Sequence, residues 1–165
     1  MRRALSFLSL LLLCLTLVGC DHASKHLATT HLRGQPPVPL INGVAELRYT
    51  ENRDIAFSLL RHIPEPTRKP LIFLGACAGL AAILLLWRRS RDARPLEHAA
   101  FAMILAGALG NLGDRALHGH VVDFIHVNHW PVFNAADVWL VAGIGLLLLV
   151  GWRRGESPPP AHARA

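Results

Sequence analysis

"LVGCDHASK", residues Leu17 to Lys25, decides between two folds. Read from the left, it closes an uncharged stretch with Leu-Val-Gly-Cys, the kind of tetrapeptide at which a bacterial lipoprotein precursor is lipidated on its cysteine and cut. On that reading Ala4 to Cys20 is a leader that is removed. Read from the right, Asp21 and Lys25 are opposite charges where an apolar segment leaves the membrane, and the segment is a permanent helix. The residues further on favour the second reading. A lipoprotein precursor needs one short apolar region and then a soluble domain. This chain has three more apolar stretches, Pro70 to Trp87, about Ala99 to Gly113, and Trp130 to Trp152.

The composition agrees. Of 165 residues, 52% are hydrophobic and 17% charged, and the mean hydropathy is +0.34. That is too apolar for an ordinary soluble domain. The net charge is +6, but no Lys/Arg run is interleaved with aromatics, so nucleic acid is not an expected partner. The three cysteines include no C-x-x-C pair and read as small apolar packing residues.

A membrane's hydrocarbon core takes roughly 17–25 helical residues, and backbone polar groups in lipid must be satisfied within the helix. The sequence therefore predicts a mainly α membrane protein: one four-helix domain over 1–152, with helices at about 4–20, 70–87, 97–113 and 135–152. Residues 153–165, rich in Pro and Ala, are expected to form a disordered cytoplasmic tail. The alternation in "PVPLINGVAELRYTENRDIAFSLL" predicts a small β-containing region in the loop after the first helix. Arg2 and Arg3, the cluster Arg88, Arg89, Arg91 and Arg94, and the tail arginines fall on one side of a four-pass chain. That side is expected to be cytoplasmic, with both termini there.

Charged and amide side chains at a membrane edge are costly, so their grouping matters. Asp21 and Lys25 follow the first segment, Asn111, Asp114 and Arg115 end the third, and Asn134 and Asp137 begin the fourth. All fall at one depth, near the extracytoplasmic surface. Asn134 and Asp137 share a helix face, which must point inward. Asp123, in the apolar stretch "HVVDFIHV", is the obvious second carboxylate. Two aspartates in a low-dielectric site cannot both ionise easily, and one ionised and one protonated member can act together on a water.

These residues carry a resemblance. "GALGNLGDR" (Gly107 to Arg115), "GHVVDFI" (Gly119 to Ile125) and "FNAADVWLVAG" (Phe133 to Gly143) resemble the C-terminal signature blocks of the lipoprotein signal peptidase family, signal peptidase II. "DHASK" and "NRDIAFSLL" are similar to its N-terminal and extracytoplasmic-loop blocks, in family order. The resemblance implies an inner-membrane aspartic endopeptidase, acting as a monomer and without a cofactor. Its substrates would be diacylglyceryl-modified prolipoproteins, cut just before the lipid-bearing cysteine, and the cyclic peptide globomycin would inhibit it. It implies that Asp123 and Asp137 are the catalytic pair. Asn52, Asn111, Arg115 and Asn134 would line the site, and Asp21, Lys25 and Asp114 would support it. Asp54 stands where the family usually has glycine, a residue that permits positive φ.

Two other chemistries fit less well. His118, His120, His126 and His129 crowd together, but without H-E-x-x-H, and read as solvated loop histidines rather than metal ligands. Ser24 and Lys25 are adjacent, and neighbours on a helix point about 100° apart, which is poor geometry for a serine–lysine pair.

Overall fold

The computed structural model describes residues 2–54, 62–90 and 94–155. Four helices, α1 (Arg2–Leu32), α2 (Glu65–Arg89), α3 (Pro95–His118) and α4 (Ala135–Gly155), are joined by three strands, β1 (Val38–Ile41), β2 (Ala45–Asn52) and β3 (Val121–Val127). Each helix is long and apolar enough to cross a membrane. Most of the loop block "NRDIAFSLL", Arg91, and the tail from residue 156 lie outside the described residues.

The helices overrun the apolar segments that announce them, and always past a charge. α1 does not stop at Cys20 but continues to Leu32. Nothing in "DHASKHLATTHL" breaks a helix, and Asp21 and Lys25 pair across one turn at 2.7 Å. The helix ends where Gly34 takes φ 75°, just before Pro36 and Pro37. α3 likewise runs five residues past Gly113, so Asp114 and Arg115 are helical, and ends against Gly119 at φ 73°. α2 begins at Glu65 and holds Pro70 in its second turn. α4 reaches Gly155, three residues into the expected tail.

α3 is the hub. It packs against α1, α2 and α4, and among the described elements α2 packs against α3 alone. The α3–α4 contact is close because glycines allow it. A Cβ on Gly107 would lie 2.4 Å from the Ala136 carbonyl, and one on Gly143 would lie 2.8 Å from the Ala100 carbonyl.

The expected β region is a three-stranded antiparallel sheet, ordered β1-β2-β3. The third strand is "VVDFIHV", which patterning alone marked only as an apolar stretch. β2 and β3 pair from Ala45–Val127 to Asn52–Val121, with Thr50 opposite Asp123. One face of the sheet rests on the C-terminal end of α1, where Ala28, Leu32 and Val122 cluster with Leu47, Tyr49 and Phe124. That contact presses Asp123 toward α3 and α4.

Candidate active site

The site grows from the start of α4. Asn134 immediately precedes the helix. Its Oδ1 accepts the Asp137 backbone N–H at 3.1 Å, and the Asp137 carboxylate accepts the Asn134 backbone N–H at 3.2 Å. This reciprocal cap satisfies orphan donors of the first turn and fixes the Asp137 side chain. It also leaves the Asn134 amide free to donate, to Asp123 Oδ1 at 2.6 Å and to Asn111 Oδ1 at 3.1 Å. One buried asparagine therefore touches both candidate carboxylates. The other Asp123 oxygen accepts from Asn52 Nδ2 at 2.8 Å, and Asp137 Oδ1 accepts from Asn111 Nδ2 at 2.8 Å.

Behind this layer is a buried cation. The Lys25 ammonium donates to Asp21 at 2.7 Å, Asp114 at 2.9 Å and Asn111 Oδ1 at 3.0 Å. An ammonium has three protons and all are used. Because Lys25 can only donate, the Asn111 oxygen must face it, and the Asn111 NH₂ must then face Asp137. The chain sets the orientation of that amide through a residue 86 positions away. Asp21 also accepts the Ala136 backbone N–H at 2.9 Å, so α1 caps α4. A Cβ on Gly110 would meet that carboxylate at 2.5 Å. Ser24 is not near a nucleophile's role: its hydroxyl donates to the Asp21 carbonyl.

Asp123 is almost fully buried, at 2% exposure. Burial raises its pKa to about 6, the neighbouring Asp137 adds to the rise, and the Asn52 and Asn134 amides oppose it. Arg115, on α3, donates to the Asn111 carbonyl at 3.2 Å and the Asp54 carbonyl at 3.1 Å. Asp54 needs no glycine-like backbone, for among the described residues His129 alone has positive φ outside glycine. Its N–H closes a turn onto Asn52 Oδ1 at 3.0 Å, and its carboxylate lies 3.7 Å from Arg68 at the start of α2.

In front of the carboxylates is a cavity of about 450 Å³. Asn52, Asn111, Arg115, Asp123 and Asp137 form its polar end. Gly79, Leu80 and Ile83 of α2 face Leu140 and Val141 of α4 across it, with Trp130 to Phe133 along one side. Since α2 and α4 do not pack together, the apolar part is a groove open between two helices. None of these apolar residues was expected to line the site. The one signal was Gly79, whose missing side chain leaves open space on α2 at the groove. The histidines part into two places: His126 turns to Glu46 and Arg48, and the rings of His118 and His120 lie 6.1 Å apart, tilted by 46°.

The description "Signal peptidase (SPase) II", peptidase family A8, matches residues 13–153. The chain belongs to the signal peptidase II family. Among its relatives, the lipoprotein signal peptidase of Syntrophotalea carbinolica is 35% identical and that of Moorella thermoacetica 37%; the alignments cover 90% of this chain in both cases, and 94% and 98% of the relatives. Solved structures agree on the fold. A bacterial membrane enzyme determined by the in meso method at 2.3 Å has a TM-score of 0.76 at 24% identity, covering 93% of this chain and 94% of that one. A second, at 1.9 Å, has a TM-score of 0.73 at 26% identity, covering 86% and 91%. The chain is thus a membrane-embedded, multi-pass peptidase of that family.

Proposed function

We propose that this chain removes signal peptides from prolipoproteins by aspartic catalysis, with Asp123 and Asp137 as the pair and the cut just before a diacylglyceryl-modified cysteine. The observation that carries the reading is Asn134, which holds both carboxylates at the polar end of an apolar groove. A lipid-anchored precursor needs that combination, with a slot for acyl chain and helical leader beside a place where water can react.

In the proposed reaction, Asp137 takes a proton from water as its oxygen attacks the scissile carbonyl carbon. Asp123 gives its proton to the carbonyl oxygen, producing a gem-diol. As the C–N bond breaks, Asp137 returns the proton to the leaving nitrogen and Asp123 recovers one from the diol. The products are a leader with a free carboxylate and a lipoprotein with a free amino group on its cysteine. Arg115 and the amides of Asn52 and Asn111 hold substrate backbone and carboxylates in place. Asp21, Lys25 and Asp114 support them from behind. The arginine clusters support cytoplasmic termini and a site at the extracytoplasmic face of the inner membrane.

The reading of Cys20 as the chain's own lipidation site is disfavoured, since α1 passes through it unbroken and the next residue caps α4. The test incubates purified protein with lipidated and unlipidated precursor. The lipidated one is expected to be cut, and Asp123→Asn or Asp137→Asn to abolish cutting while membrane insertion persists. Cleavage surviving in either variant would remove the pair from the mechanism.

A further inference from the structure

We propose that the tip of the β1–β2 hairpin, with Trp130 beside it, is inserted into lipid and anchors the sheet that carries Asp123 to the bilayer surface. From Gly34 to Ala45 no residue is charged. Val38, Leu40, Ile41 and Val44 are each between 45% and 60% exposed, and β1 is exposed along its whole length. It is also the sheet's edge. Edge strands in water are usually shielded by charge or cover, and this one has only Pro39.

Its position supplies the cover. The Asn128 backbone N–H donates to the Val44 carbonyl at 2.8 Å, and its side chain reaches the Gly43 carbonyl. Two residues on, Trp130 is 59% exposed and lines the groove with Leu80, Leu140 and Val141. The tip is therefore continuous with the surface that the helices present to lipid. The depth fits as well. Ile125 bridges Phe133, two residues before α4 begins, and Val127 is two residues past that bridge, about 7 Å of strand. The interfacial layer flanking the hydrocarbon core is roughly 6 Å thick, so the tip falls in or beside it. Tryptophan favours that layer. Charge returns at the base of the tip, where Glu46, Arg48 and His126 interact with one another, at the level of headgroups.

The experiment uses the unmodified protein in phosphatidylethanolamine–phosphatidylglycerol vesicles, carrying a lipid-soluble diazirine. After photolysis, peptide mapping is expected to show adducts on residues 38–44 and Trp130 at a density near that of Leu140 to Leu149, and few at Arg33. A tip labelled only by a water-borne carbene would overturn the proposal. So would a tip protected from both probes as protein density rises, which would mean that a second copy covers it. An independent measurement places a fluorophore on Ile41→Cys, which lies on the exposed tip. Brominated lipid is expected to quench it more than aqueous iodide, with the reverse at Arg33→Cys; stronger iodide quenching at residue 41 would refute the anchor.

Discussion

α3 has two unlike flanks. Toward α1 and α4 it is locked. Gly107, Gly110 and Gly143 leave no room for a Cβ, and the Lys25 network fills the polar gaps. Toward α2 it is loose. Gly75 and Gly79 face open space, and a groove separates α2 from α4. The same residue type thus has opposite uses within one bundle. Small residues on the locked flank bring backbones together, so the carboxylates keep one geometry. On the loose flank Gly79 leaves room in a channel for an apolar chain. Precision and access are assigned to different helix pairs.

Breaking the locked flank is expected to cost most. Lys25→Met leaves Asp21 and Asp114 buried without their cation. Stranding buried charge costs about 3–5 kcal/mol, and here the Asn111 amide also loses the contact that orients it. Denaturant unfolding in detergent should show a loss of that size, with activity falling further than the folded fraction. An unchanged midpoint would mean that the two carboxylates find solvent. Gly110→Val is expected to be milder. Its side chain meets the Asp21 carboxylate, whose withdrawal uncaps Ala136, and overpacking of this kind costs about 1–3 kcal/mol. A parent-like unfolding midpoint would show the locked flank to be softer than its spacing implies.

The sequence showed the locked flank in part. The reciprocal cap is legible as Asn134-x-x-Asp137, because a helix start needs a side-chain acceptor and an acid three residues on. β3 lies beside the start of α4, where Asn134 touches both Asp123 and Asp137. Helix ends were not legible, since hydropathy counts Asp21, Lys25, Asp114 and Arg115 as reasons to leave the membrane. It does not register that the first three bind one another inside, one ammonium bridging two carboxylates. The third strand escaped notice because "VVDFIHV" is apolar on both sides of Asp123: the face with Val122 and Phe124 rests on α1, and the strand also packs against α3. The Lys25–Asn111 contact joins residues whose distance along the chain gives no hint of it. The doubt raised by Asp54 came from a conformation that the turn does not use.

The loose flank predicts the opposite behaviour for a glycine substitution. Gly79→Leu points into the groove, where a Cβ meets nothing within 4 Å. Leucine is the better helix former by up to about 1 kcal/mol, so stability should hold or rise. Processing of lipidated precursor should fall about tenfold in kcat/KM, or about 1.4 kcal/mol, as substrate competes with the new side chain. Reduced stability with unchanged processing would place the substrate elsewhere and undo the contrast between the flanks.

The smallest expected effect concerns the proton held between the flanks. Asp123 has a pKa of about 6 in the fold, above the ~3.9 of an unfolded aspartate. The folded state therefore favours its protonated form. The resulting stability is complete below about pH 4 and is lost as pH rises through about 6. If that proton is the one given to the scissile carbonyl, kcat/KM for the free enzyme falls over the same upper range. Asn52 donates to the Asp123 carboxylate and favours its charged form. Asn52→Ala should lower activity and also move the alkaline limb to higher pH, by a fraction of a unit. A purely structural loss would lower the profile without moving it. A limb displaced to lower pH would mean that the Asn52 amide stabilises the protonated acid, and would reverse the assignment of the proton.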